Sequence, residues 1–258
     1  MGNDFRPSRR AVVVGLALVG VLGFGFVAGN KATAADPSQN LSDYVPEKLD
    51  DFTASMRVDH FDEHAGEKIN KDFGLIFKLK GDVKLRYKEE NKLRLDATVG
   101  TQTLTLIVNG TTQYFKGGGL KTTMPLGTAP GKRKTLLDAG FVSKGYLNIA
   151  EGEFKHMQEV KGIMCAQFRV SYKDKNLDTS HRLLWIDPKT KVVVKREEYS
   201  QQGKVNATYF YLQPKEVSPG IWFPTRIEVY NKDNQEAGAT VYRNIHVNEG
   251  LDEGLFKL

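Results

Sequence analysis

Between His181 and Val247 the chain reads as five runs with strand-like alternation, joined by four connections. Side chains alternate across a strand with a period of two, so Arg182, Leu184 and Ile186 share one face and Leu183, Trp185 and Asp187 the other. Asp187-Pro188-Lys189-Thr190 then has the composition of a type I turn, with proline pre-setting φ and the aspartate able to bond the backbone two residues on. Val192 to Tyr199 runs back, Gln202-Gly203 turns again, and Val205 to Leu212, Ile221 to Tyr230 and Thr240 to Val247 supply further strands. Connections this short force neighbours in sequence to be neighbours in a sheet, so the segment is an antiparallel meander.

The same pattern extends upstream. Phe52, Ala54, Met56 and Val58 alternate with polar residues, and Phe73 to Lys80, Val83 to Lys88 and Lys92 to Val99 do likewise, with basic residues on the outer face. Asn109-Gly110 marks a hairpin between Thr101 to Val108 and Thr111 to Phe115, and Lys161-Gly162 marks another between Phe154 to Val160 and Met164 to Tyr172. Leu41 to Asp51 reads as a short helix, His60 to Asn70 as a polar turn, and Thr122 to Thr135 as a Pro/Gly-rich loop. Leu136 to Ile149 is the best helical candidate, expected to lie across the sheet. The sum is an α+β chain, mainly antiparallel β, with about a dozen strands.

Residues 1–35 stand apart. Arg6, Arg9 and Arg10 precede eighteen apolar or glycine positions from Ala11 to Ala28, followed by the small residues around Ala34 and Ala35. That is the layout of a secretory signal, with a retained N-terminal anchor as its rival. The expected division is therefore a signal peptide over 1–35 and a single domain over 36–258. The basic leader accounts for half of the net charge of +6, and the remaining balance is too weak for a nucleic-acid footprint. Cys165 is the only cysteine, so no disulfide is available, and its place in an alternating run marks it as a buried, inert thiol.

No constellation in the chain carries chemistry. His60 and His64 beside Asp59, Asp62 and Glu63 would need a helix to converge on a metal, and the segment reads as a strand end and turn. Gly127 to Lys132 has the wrong glycine spacing for a phosphate-binding loop, with Arg133 where Ser or Thr belongs. Glu197 and Glu198 are adjacent, hence on opposite faces of a strand. The residues give no catalytic group, no cofactor and no metal, and the chain reads as a binding protein and not an enzyme.

Several segments together resemble the periplasmic lipoprotein carriers of the LolA type and the wider outer-membrane lipoprotein-sorting group. They are Leu49 to Met56, Val108-Asn109-Gly110-Thr111, Leu184 to Thr190, Gly220 to Ile227 and Asn244 to Asp252. The resemblance implies an incomplete, half-open β-barrel covered by short helices, whose apolar cavity holds lipoprotein or lipid acyl chains crossing the periplasm. Phe52, Met56, Phe77, Leu95, Leu106, Phe168 and Trp185 are the residues expected to line it. Burying each methylene is worth ~0.8 kcal/mol, so an acyl chain needs such a cover to cross water. The alternative on the same fold is an envelope-stress sensor or scaffold engaging a protein partner, a membrane protein among the candidates. The protein is expected to be monomeric.

Two departures make the resemblance that of a divergent member. Where the carriers place an arginine-proline pair that latches the helical cover, this chain reads Lys88-Glu89-Glu90-Asn91-Lys92-Leu93. It also ends at Leu258 without the C-terminal extension of the dedicated carrier.

Overall fold

Glycine and asparagine at the turns set the topology. A computed structural model describes residues 37–70, 81–99 and 101–257. Its strands are β1 (Asp51–Phe61), β2 (Asp82–Lys88), β3 (Lys92–Val99), β4 (Gln102–Asn109), β5 (Thr112–Gly117), β6 (Leu120–Pro125) and β7 (Ala150–Val160). They continue with β8 (Ile163–Tyr172), β9 (His181–Ile186), β10 (Val193–Tyr199), β11 (Val205–Ser218), β12 (Ile221–Asn231) and β13 (Glu236–Val247). Lys161 and Gly162 both take positive φ, 52° and 81°, the mirror-image turn whose twist matches a hairpin. At the β4–β5 hairpin the central pair is Gly110-Thr111, one residue later than the Asn-Gly signal suggests, with positive φ at Gly110.

The thirteen strands form one antiparallel sheet in the order β6-β5-β4-β3-β2-β1-β13-β12-β11-β10-β9-β8-β7. Two meanders run outward from a central β1–β13 pair, so β6 and β7 are the two edges and the barrel is not closed. The connection from β6 to β7 must therefore travel from one edge of the sheet to the other. It does so across the inner face.

The sheet curves around that connection. Gly145 bonds Glu89, at the end of β2, while its neighbour Tyr146 bonds Arg182 in β9. Six strand spacings separate β2 from β9 in the sheet order, or ~29 Å if the sheet were flat. Adjacent residues span that only if the sheet wraps toward them. One main core results, formed by inward residues of β1–β4 and β8–β13 together with Leu136, Leu137, Phe141, Val142 and Tyr146 of the crossing segment.

Several expected elements take a different form. The helix expected over 136–149 is two short pieces, a 3-10 turn Leu136–Ala139 and a helical turn Lys144–Leu147. Gly140 breaks it at φ 95°, where an added Cβ would sit 2.8 Å from the Tyr211 ring. The expected helix over 41–51 is a 3-10 turn, Leu41–Tyr44, before Pro46. The expected loop over 122–135 begins inside edge strand β6, and the expected turn over 60–70 contains a helix, Glu63–Glu67, capped by Asp62. The strand expected over Phe73 to Lys80 lies outside the described residues.

Cys165 is fully buried with Trp185 and Val194 in a small second cluster on the outer side of the sheet. Burial, with the nearby Asp187 charge adding to it, pushes its thiol up to about 12. We expect no reaction of native protein with iodoacetamide at pH 8 and one modified thiol after unfolding. Fast native labelling would refute the burial.

Candidate functional site

The crossing segment, residues 126–149, is the part of the chain whose local structure is built to lie on something. Thr135 and Asp138 form a reciprocal capping box that starts the 3-10 turn, and Ser143 caps the next one through the Tyr146 N–H at 3.0 Å. Between them Phe141 packs against Phe223 with centroids 5.3 Å apart. Tyr211 donates to the Leu137 carbonyl at 2.8 Å, and the Val193 N–H donates to the Gly140 carbonyl at 2.9 Å. Short turns expose many backbone groups, and here the sheet satisfies them.

The cover is held on two sides by opposite chemistry. On the β2–β3 side, the Glu89 carboxylate accepts from the Gly145 N–H at 2.9 Å and from the Tyr87 hydroxyl. A Cβ on Gly145 would collide with the Asn91 amide, so the approach depends on glycine. The sequence stretch that lacks a latch arginine is thus an anchorage after all, through an acceptor for a backbone donor.

The other anchorage is a polar network on the otherwise apolar inner face. Arg196 of β10, its side chain 2% exposed, reaches Asp138 of the cover at 3.3 and 3.4 Å and Glu198 at 3.5 Å. Its guanidinium lies 4.0 Å from the Tyr209 ring centroid. Arg182 of β9 donates to Tyr146 of the cover at 3.0 Å and to Tyr172, with Glu198 at 3.6 Å from its Nε. The Nε atoms of both arginines are buried without a hydrogen-bond partner. Burial works to raise the Asp138 carboxyl, but Lys134, Arg196, the Thr135 N–H and Arg182 hold it below its usual value. For Arg196, burial opposes the charge, and Tyr211, Glu198 and Asp138 outweigh it. Glu197, the neighbour of Glu198, faces the other way and pairs with Lys195.

Of the residues expected to line a hollow, Phe52, Met56 and Phe168 lie in the main core. Phe52 packs with Tyr87 and Phe223 at 5.7 and 5.0 Å, and Phe168 with Tyr44 and Phe154 at 5.0 and 5.6 Å. Leu95 packs against that core, and half-buried Leu106 sits directly opposite it on β4. Trp185 is on the opposite face, donating to Gln158 at 2.7 Å under Lys195. Phe77 lies outside the described residues. Leu136, Leu137, Phe141, Val142 and Tyr146 of the cover belong to the same buried core as Phe52 and Phe168, where a hollow was expected. The roof stops short, however, toward β6. Register carries the inner face from Val108 through Gln113 to Met124, and from Gly117 to Leu120. Those two residues are 46% and 67% exposed.

A cavity of about 420 Å³ opens at the other end, between the 128–132 loop and the ends of β9 and β10. Thr128, Lys132, Ser180 and Gln201 stand around it, with Arg182 and Glu198 also in its lining. Nothing local in the sequence announces this network beyond Arg182 sharing a face with Leu184 and Ile186. Among the described residues no three His, Cys, Asp or Glu converge on a metal position, and no helix is long and apolar enough to cross a membrane.

Comparison with known proteins fits this architecture. A family model for an uncharacterized protein matches residues 142–258. No curated protein matches the chain. Among solved structures, a putative outer membrane lipoprotein-sorting protein domain from Vibrio parahaemolyticus is 13% identical, with a TM-score of 0.58, covering 84% of this chain and 95% of its own. A LolA superfamily protein from Nitrosomonas europaea is 14% identical, with a TM-score of 0.56, covering 86% and 99%. The chain has the LolA-like fold, an open antiparallel β-barrel with few short helices.

The anchorages make a measurable prediction. Replacing Asp138 with Ala leaves Arg196 short of a partner and is expected to cost about 1.5–3 kcal/mol, read by urea denaturation. Because the Asp138 value is lowered in the folded protein, its stabilisation is present above the usual carboxylate range and lost as pH falls through the folded value. Protection of the Phe141 to Tyr146 amides against exchange, taken relative to the intrinsic rate at each pH, is therefore expected to fall on acidification below about pH 4, and less steeply in Asp138→Ala. Equal acid profiles would remove Asp138 from the anchorage.

Proposed function

We propose that this is an exported protein, carried to the periplasm by its N-terminal segment, that binds lipid or lipoprotein acyl chains on the inner face of its half-open barrel. The observation that supports it best is the short roof: the inner face continues past the packed core, through Gln113, Phe115 and Gly117 of β5, to exposed Leu120 and Met124. An acyl chain laid there gains about 25 cal/mol per Å² of apolar surface removed from water. The cover regulates how much of that face is available. Its hold on the sheet is a few polar contacts at two anchorages and a row of side chains that an acyl chain can replace in kind.

A second reading keeps the fold and changes the ligand: a sensor or scaffold that engages a protein partner from its outside. The single buried core that cover side chains share with Phe52 and Phe168 favours it, because a filled inner face needs no cargo.

Lipid extraction separates the two. Protein purified from its own envelope without detergent is expected to carry fatty acyl chains detectable by mass spectrometry, and delipidated protein is expected to take up an apolar dye. Gly145→Ala, which pushes the cover away from Asn91, is expected to raise dye uptake about threefold or more, an energy difference near 0.7 kcal/mol. Lipid-free protein that ignores the dye in both forms would leave the partner reading standing.

A further inference from the structure

The charges inside the inner face are divided unevenly between sheet and cover. The sheet contributes Arg182, Arg196 and Glu198, and the cover contributes Asp138. Asp138 is the only carboxylate between residues 126 and 149. When the cover is seated, two guanidinium groups face two carboxylates. When it lifts, the sheet keeps two cations and one anion in a low-dielectric setting among Tyr172, Tyr209 and Leu184. An uncompensated buried charge is the most costly thing an apolar face can carry, so the lifted state calls for a replacement anion.

The structure provides both the donors and a way in for one. The Nε–H of Arg182 and that of Arg196 lack hydrogen-bond partners while the cover is closed. Arg182 and Glu198 also line the cavity of about 420 Å³ that opens beside the 128–132 loop, together with Lys132 and with Asp178, whose carboxylate already accepts from Ser180 and Gln201. A planar guanidinium with free donors is matched to carboxylate and phosphate oxygens. A neutral head group would leave the charge on Arg196 as it is.

We propose that the Arg182–Arg196 pair is the docking point for the anionic head, carboxylate or phosphate, of a single-chain amphiphile that enters through this cavity and takes the place of Asp138. The inference rests on the acyl-chain reading and narrows it to one ligand class. The anion exchanges for a carboxylate the protein already supplies, so binding and cover release are one event. Glu198 stays behind and limits the site to a head of low charge.

The test uses full-length, delipidated protein with three probes: palmitate, methyl palmitate and inorganic phosphate alone. Palmitate is expected to bind at least about tenfold more tightly than its uncharged ester. Asp138→Asn, which keeps an acceptor for the Thr135 N–H, is expected to strengthen palmitate binding several-fold. Arg182→Gln and Arg196→Gln are expected to bring the acid-to-ester ratio near one; where Arg196→Gln fails to fold, the Asp138→Asn result decides. Equal affinity for acid and ester in the native protein and in Asp138→Asn overturns the anion site and leaves acyl binding intact. Phosphate that binds in an Arg182-dependent way while neither lipid does keeps the anion site and removes the acyl reading. Silence of all three probes overturns both.

Discussion

The connection between β6 and β7 is the constraint from which the rest follows. Two meanders grow outward from the β1–β13 pair, so the chain finishes one at the far left edge and must begin the other at the far right. A route over the outer face would bury nothing and leave the inner face wet. A route over the inner face covers the apolar side of a sheet that has no second sheet to pack against. Residues 126–149 take that route, and the sheet bends to meet them, as Gly145 and Tyr146 show by touching opposite halves. Topology thus produces the roof, and a continuous helix is not needed to make it.

A segment of two short turns cannot hold itself in place by propensity, since isolated helices below three or four turns are marginal in water. Its position is specified by what it bonds. Apolar contacts of Leu136, Leu137, Phe141 and Val142 are non-directional and tolerate sliding. The Asp138–Arg196 contact and the Glu89–Gly145 bond are directional and fix one register. A buried ion pair adds little net stability over an apolar pair of the same volume, and fixing a unique arrangement is its better attested use. Here that arrangement is also the one that neutralises the inner face, which ties cover position to charge.

Strand periodicity made most of the sheet legible from the sequence: the alternation of Arg182, Leu184 and Ile186 is the alternation the structure shows, and the short turns dictated the meander. The mistakes share a cause. The Leu136 to Ile149 segment has helical apolar spacing, but Gly140, pressed against Tyr211, and the Ser143 cap divide it, and that pressure is visible only in three dimensions. The expectation of an inward Trp185 conflicts with its own alternation with Leu184 and Ile186, which puts it outward, where Gln158 receives its N–H. Period two says which residues share a face and not which face is inside. Asp138 is separated from Arg196 by 58 positions, so nothing local announces their contact. An arginine in register with Leu184 and Ile186 was the one available sign that the inner face carries charge.

An unclosed sheet also has to survive its edges, and how it does so bears on what the inner face is for. Edge strands with free N–H and C=O groups invite pairing with other chains, and proteins discourage this with charge and proline. The edge β6 carries Lys121 and ends at Pro125, and β7 carries Glu151, Glu153, Lys155 and Glu159. Leu120 and Met124 break that rule. They are placed by register on the same side as Val108, as a continuation of the inner face beyond the cover, and are not an accident of the edge itself. Protecting the edges while leaving this strip bare separates two kinds of stickiness: the backbone is shielded from other strands, and the apolar side chains remain open to something without a backbone.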